Sequence, residues 1–334
     1  LKQTDIAREY RDKYGMDMPT LKLARIMYAD NPLIFASVDG ARGALRRIEG
    51  KYGAFNDKRG KITHPMKEER PKNPYNLPES FAVKREAFRL PKDCKKVLFL
   101  PDQHIPYHDI RANTIAIDRG VKEGVDTIIL TGDVIDMHKA SKYQHDPRKR
   151  DIMHEFEAAR EYLEQLRKVF PVAKIYWISG NHCQRHEKFL LEKAYELWKD
   201  PYYRLEERLQ LNELKIQIFD DKQVIKSGNL NITHGHYIIN SPWGSVNPAK
   251  TVYDKTGTDY VIGHVHKNFE FKKINGDGKL TRCYTMGCLS EIRPDYNPIV
   301  SNYMHGYGLQ FVDQVTGEYE FHNEHIKPNN AYYL

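Results

Sequence analysis

The sequence predicts an α/β sandwich of two sheets flanked by helices, with a small helical domain at its N-terminal end. Apolar runs of the kind buried on both faces of a sheet, such as Thr127-Ile-Ile-Leu130, alternate with helical patterns in the first part of the region beyond residue 94. Hairpin patterns replace them further along. Five of the strand ends present metal-type side chains, at the edge where open α/β sheets gather their ligands.

At 334 residues the chain is long enough for one large domain and something smaller. It has no apolar run near 18 residues, so no membrane span is expected, nor is a secretory signal evident. Cys94, Cys183, Cys283 and Cys288 show neither zinc-site nor disulfide-scaffold spacing. A reduced, cytoplasmic protein is expected. The net charge is +7, but residues 1–95 hold 21 Lys and Arg against 13 Asp and Glu, a balance of +8. That excess fits a polyanion partner, nucleic acid above all, or simply a solvated basic surface.

Three short helices are expected first. Asp5–Tyr14 carries Ile6, Tyr10 and Tyr14 on one face and stops at Gly15. A second follows Pro19 with Thr20 as cap, and a third follows Ser37 as cap. In the third, Val38, Ala41, Leu45 and Ile48 form an apolar stripe while Arg42, Arg46 and Arg47 point elsewhere. This resembles a helix-turn-helix module whose arginines could meet phosphates; a helical cap packed on a larger domain has the same periodicity. The domain is placed at residues 1–54, and residues 55–93, interrupted by five prolines, read as a charged linker.

Beyond residue 94, strands are expected at Lys96–Leu100, Thr127–Leu130 and Lys174–Ser179, and helices at Asn113–Gly124, Asp151–Phe170 and Glu187–Lys199. Gln223–Lys226 and Leu230–Thr233 flank the turn Ser227-Gly228-Asn229. Tyr260–Ile262, Phe269–Ile274, Leu280–Thr285, Gly308–Val312 and Tyr319–His322 complete the strands.

The five ligand-bearing ends present Asp102 and His104; Asp133; Asn181 and His182; His234; and His264 and His266. Alternate residues, such as 102 and 104, can aim into one pocket as a strand unwinds. Imidazole, carboxylate and amide oxygen without thiolate suit Mn, Fe, Zn or Ni, and suit a pair of ions bridged by one carboxylate. Any one histidine alone would read as a core or surface residue. The repetition after five strands is what points to a centre.

These segments resemble the five motifs of calcineurin-like metallophosphoesterases: Asp-x-His at 102–104, Gly-Asp-x-x-Asp at 132–136, Gly-Asn-His at 180–182, His-Gly at 234–235 and Gly-His-x-His at 263–266. The resemblance covers roughly residues 95–330, so the metallophosphoesterase domain is placed at 94–334. It implies that Asp102, His104 and His266 hold one divalent metal, that Asn181, His234 and His264 hold the other, and that Asp133 bridges them. His182 is then the catalytic histidine, and Asp136 orients it or supports the shell around it. Cys183 departs from the acidic residue that many members carry there, and His236 stays outside the ligand set.

Two such metals can share a hydroxide that attacks phosphorus, with His182 protonating the leaving oxygen. Manganese is the first choice, with Fe, Zn or Ni also compatible. Arg185, one turn after His182, is expected to grip a phosphate, and Lys142 to Arg150 form a basic loop nearby. Trp243 and Tyr253 could stack a base, although core packing explains them as well. The basic N-terminal third favours a nucleic-acid phosphodiesterase or nuclease. A phosphomonoesterase for phosphoprotein or nucleotide is the alternative, and a non-catalytic scaffold is the third reading, against which the complete ligand set argues.

Overall fold

Alternate side chains of the strand Lys96–Leu100 serve two different cores, which is why its sequence is apolar from Val97 onward. The computed structural model describes residues 2–50, 75, 78, 85–140, 151–240, 246–293 and 302–327. Most of the expected linker, the Lys142–Arg150 loop and Trp243 lie outside the described residues. The chain divides into two compact units, Leu1–Ala82 and Val83–Leu334.

The first unit holds α1 (Gln3–Tyr14), α2 (Thr20–Asp30) and α3 (Val38–Ile48). Ile6, Leu23, Met27, Phe35 and Leu45 are buried between them. Ser37 caps α3 as expected, its Oγ accepting from the Gly40 N–H at 3.1 Å, an arrangement that contributes about 1 kcal/mol. Thr20 differs: it is the first residue of α2 and makes no cap bond. Its hydroxyl donates instead to Glu49, 3.1 Å away, which pairs with the buried Arg11. Arg11 also donates to the carbonyls of Gly15 and Met18, so this pair is well satisfied, and removing one partner would cost roughly 3–5 kcal/mol. On α3, Arg47 is exposed while Arg42 and Arg46 are half-buried.

The second unit contains β1 (Phe88–Arg89), β2 (Lys96–Leu100), α4 (Ile110–Glu123), β3 (Thr127–Leu130), α5 (Ile152–Val169), β4 (Lys174–Ile178), α6 (Gln184–Lys193), α7 (Tyr195–Trp198), α8 (Leu205–Arg208) and β5 (Ile216–Phe219). There follow β6 (Ile225–Ser227), β7 (Leu230–Thr233), α9 (Pro248–Thr256), β8 (Tyr260–Ile262), β9 (Phe269–Ile274), β10 (Leu280–Thr285), β11 (Gly306–Val312) and β12 (Tyr319–His325). Among the described residues these strands make two six-stranded sheets, ordered β1-β6-β7-β8-β10-β9 and β12-β11-β2-β3-β4-β5. In the latter, β2 to β5 run parallel and β11 and β12 close the edge antiparallel. In the former, β7, β8 and β10 are mutually parallel.

Val97, Phe99, Ile129, Tyr176 and Ile178 face the other sheet and meet Ile225, Ile232, Val261, Tyr284 and Met286. Leu98, Leu100, Ile128, Leu130 and Trp177 share the core that holds Ala112 and Ala116 of α4 and Phe156 and Leu163 of α5. The period of two thus splits each strand between a sheet-to-sheet core and a sheet-to-helix core. Several elements depart from expectation. β1, which falls in the stretch expected as linker, β5, α8 and α9 are additional to the expected set, and the helix expected at Glu187–Lys199 begins earlier and breaks at Ala194 into α6 and α7. Among the described residues, no helix is long and apolar enough to cross a membrane.

Candidate metal centre

The C-terminal ends of β2, β3, β4, β7 and β8 meet at one edge of the sandwich, and the chain bends sharply there. Asp102, His104, Asp133, His264 and His266 all have positive φ, between 43° and 65°. Side chains other than glycine rarely adopt this backbone, and non-glycine residues held in it cluster at functional sites. The loops after β2 and β3 are also laced together. The His104 N–H donates to the Asp133 carbonyl at 2.8 Å, and the Asp136 N–H donates to the Ile105 carbonyl at 3.0 Å. Two ligand-bearing strand ends are thereby held side by side.

Small residues let the ligands approach the backbone. A Cβ at Gly180 would lie 2.1 Å from Asp133 Oδ1, and one at Gly263 would lie 2.4 Å from Asp102 Oδ2. Glycine in the Gly-Asn-His and Gly-His-x-His segments is therefore a matter of space for a carboxylate. The His182 N–H donates to Asp133 Oδ1 at 2.8 Å, and the His264 N–H donates to Asp102 Oδ2 at 2.9 Å. Each carboxylate is fixed by a backbone amide, which also stabilises its charge.

Three groups of donor atoms result, each with its atoms within 4.8 Å of one another: Asp102, His104 and His266; Asp133, His234 and His264; and His104, Asp133 and His182. Asn181 joins the second group, with Oδ1 3.1 Å from His234 Nε2. Asp133 Oδ2 lies 3.1 Å from His234 Nε2 and 3.9 Å from His104 Nε2, so one oxygen faces both sides. All seven residues expected as ligands are thus brought together.

Hydrogen-bond logic tests whether a cation fits. His234 Nδ1 lies 2.9 Å from the Thr131 carbonyl, which can only accept, so Nδ1 carries the hydrogen. The lone pair of Nε2 then faces Asp133 Oδ2 and Asn181 Oδ1, which are placed as acceptors. Only a proton or a cation between these atoms relieves the clash. His104 repeats the pattern: Nδ1 is 2.9 Å from Asp136 Oδ1, and Nε2 is 3.2 Å from His266 Nε2. His264 Nε2 is buried and has no hydrogen-bond partner among the described residues. The donor set fits a pair of divalent metals, and the partners on Nδ1 fix the ring tautomers that such ligation needs.

The electrostatics agree. Burial opposes charge on Asp133, yet the neighbouring His234 and His182 hold its carboxyl well below the usual range. Burial likewise opposes charge on His234, but Asp133 and then Asp102 raise it to about 9. Burial and the charge of His234 push His264 down to about 3. His266 is raised as well, against its burial, so ionised carboxylates sit beside two imidazoles that keep their protons, and a metal would displace those protons.

His182 stands beside this cluster. Its Nδ1 lies 2.9 Å from Asp136 Oδ1, and Arg185 Nη2 donates to its Nε2 at 2.9 Å. Arg185 also donates through Nη1 to the Asp136 carbonyl at 2.9 Å. Arg185 is therefore beside the centre, though in this structure it holds His182. Sequence reasoning missed Thr131, whose carbonyl sets the His234 tautomer, and Asp221, which accepts from His236 at 3.1 Å and from the Tyr237 hydroxyl at 2.8 Å. A backbone acceptor carries no residue-type signal, and Asp221 is linked to the site only by folding. Cys183 is buried, its thiol pushed up to about 12 mainly by burial, and it belongs to none of the three donor groups. Arg42, Arg46 and Arg47 belong to the other unit.

A family model described as calcineurin-like phosphoesterase matches residues 95–270. No curated protein matches the chain. Solved structures that it resembles include vacuolar protein sorting 29 from Cryptosporidium parvum, at 18% identity over 70% of this chain and 98% of that one, with a TM-score of 0.36. The phosphoesterase YfcE from E. coli is 18% identical over 67% and 96%, with a TM-score of 0.32. A dimetal phosphatase from Danio rerio is 13% identical over 66% and 93%, with a TM-score of 0.33.

Proposed function

This chain belongs to the calcineurin-like phosphoesterase family, metal-dependent hydrolases of phosphate esters, and we propose that it cleaves the phosphodiesters of nucleic acid. The observation that carries the reaction class is the position of Asp133, one oxygen of which faces the donor groups on both sides. When bound, a pair of divalent metals supplies the activated water and neutralises the phosphoryl oxygens. Manganese suits the mixed imidazole, carboxylate and amide set.

The chain's own residues do the rest. Asp102, His104 and His266 would hold one ion and Asn181, His234 and His264 the other, with Asp133 placed to serve both. Asp136 keeps His182 in the tautomer whose Nε2 faces the site, since its Oδ1 accepts from Nδ1. Once Nε2 has taken up a proton from solvent, the imidazolium held by Asp136 would give that proton to the leaving oxygen. Arg185 occupies that nitrogen here, and a phosphate oxygen is a stronger partner for its guanidinium. Substrate arrival would draw Arg185 off and free Nε2.

The diester reading rests on the basic N-terminal third. Residues 1–50 balance 9 Lys and Arg against 7 Asp and Glu, whereas residues 51–95 balance 12 against 6. Most of the excess therefore lies beyond the three helices, which makes Arg42, Arg46 and Arg47 one part of a longer nucleic-acid contact. A phosphomonoesterase is the second reading, favoured by Arg185, which would suit the extra charge of a terminal phosphate. Purified full-length protein with Mn²⁺ should be offered a generic diester, a generic monoester, a phosphopeptide, and single- and double-stranded nucleic acid. Nucleic-acid cleavage that falls steeply with salt is the expected result. Turnover of monoester or phosphopeptide alone would reverse the assignment.

A further inference from the structure

The edge that carries the metal centre also holds a cavity that the centre does not use. β3 and β4 end at Asp133, Asn181 and His182, and the next strand along that sheet, β5, ends at Asp220 and Asp221. Ligands gather at such strand ends. A cavity of about 320 Å³ is lined by Ser179 just after β4, by the end of β5, by α6 and by residues between Trp198 and Glu206. This is the lower end of the range for small-molecule sites, roughly 300–1,000 Å³.

Its walls adjoin the catalytic machinery on two sides. Gln184 and Glu187 line it from α6, within two turns of His182. Asp221 lines it and accepts from His236, whose ring centroid lies 5.4 Å from that of His234. Its character is unlike that of the metal centre. Trp198 and Tyr203 line it with aromatic rings, and Tyr195 stacks on one face of Trp198, with centroids 5.8 Å apart and an interplanar angle of 13°. Glu187, Glu206, Asp220 and Asp221 supply four carboxylates and Arg204 a guanidinium; Asp220 is paired with Arg85, and Asp221 accepts from His236 and Tyr237. With Arg85 counted, carboxylates still outnumber guanidinium groups, which disfavours phosphate in this cavity and suits a planar, uncharged part of a substrate that carries N–H donors.

We propose that this cavity binds the nucleobase next to the scissile phosphate, stacked on Trp198 and Tyr203 with its amino groups on the carboxylates. Aromatic faces accept any base, while the carboxylates would favour the bases that carry an amino group. The proposal rests on the nucleic-acid reading above and names the part of that substrate each region takes. A peptide's arginine or lysine would also suit carboxylates and aromatic rings, and the test separates the two.

Full-length protein with Mn²⁺ is titrated with uncharged nucleosides, adenosine and cytidine, and with an arginine-bearing peptide, by calorimetry. Two variants accompany it: Leu190→Phe, which narrows the cavity, and Trp198→Ala, which removes the stacking face and is the fallback if Leu190→Phe fails to fold. Saturable nucleoside binding that weakens tenfold or more in either folded variant is expected. Hydrolysis of bis(4-nitrophenyl) phosphate should stay within twofold in both. Absence of saturable nucleoside binding, equal binding in the variants, or tighter binding of the peptide would overturn the proposal. Nucleoside binding that depends on Trp198 in a protein unable to cleave any diester would support the cavity while the phosphodiesterase reading fails.

Discussion

His104 and His182 are tied to the same oxygen: the Nδ1 atoms of both lie 2.9 Å from Asp136 Oδ1. One is an expected metal ligand and the other the expected proton donor. Both donate through Nδ1, so both present Nε2 to the centre, and their rings stand at 90° with centroids 4.4 Å apart. The expected metal ligation and proton transfer would therefore both depend on one carboxylate that belongs to none of the three donor groups.

Asp136→Asn keeps the size of this group but removes the charge that holds two N–H donors. Metal affinity, activity or both should fall about 10- to 100-fold, the usual cost of losing such a supporting partner. Metal titrations followed by calorimetry, with rates at saturating Mn²⁺, measure both effects. Unchanged affinity together with unchanged turnover would remove Asp136 from its positioning role.

His182→Ala separates proton transfer from metal binding. The variant should keep its metals and lose about 10²- to 10⁴-fold in turnover. The loss should be greatest for alkoxide-like leaving groups and smallest for 4-nitrophenolate, which departs without a proton. A loss independent of the leaving group would contradict the role given to Nε2.

Much of this site is legible in the sequence, because each ligand follows a short apolar run and those runs form strands from local pattern alone. The parts that are not legible depend on non-local pairing. Ile216–Phe219 is half-exposed at one edge of its sheet and gains its identity by pairing with β4. Helix α9 does carry a local signal, since Asn247 caps it, accepting from the Lys250 N–H, and Pro248 stands in its first turn. The break at Ala194 has no proline or glycine to mark it. Sequence alone leaves Asp136 between two roles, and only the shared oxygen shows that it touches both histidines.

Arg185→Ala removes the partner of His182 Nε2 and the expected phosphate grip. The ratio kcat/KM on nucleic acid should fall by an amount equivalent to about 1–3 kcal/mol, as for a charged hydrogen bond. Steady-state kinetics on wild type and variant measure it. An unchanged ratio would confine Arg185 to holding His182 in the resting protein.

The N-terminal helices are tested through salt. Arg42, Arg46 and Arg47 replaced together by alanine should flatten the log–log salt dependence of nucleic-acid binding, by roughly 0.9 for each duplex phosphate no longer neutralised. Because residues 51–95 carry the larger excess of Lys and Arg, substantial binding should remain. Hydrolysis of a small generic diester should be unaffected, with a melting curve confirming the fold. An unchanged salt slope would make the three helices a structural element only.

The most direct test is metal content by mass spectrometry, set beside activity, for wild type and Asp133→Asn after loading with Mn²⁺ and desalting. An oxygen that faces both donor groups predicts two ions per wild-type chain. In the variant it predicts a clear shortfall in bound metal, with most activity lost on every substrate. Two retained ions with full activity in Asp133→Asn, or no stable metal in the wild type, would contradict the two-metal centre.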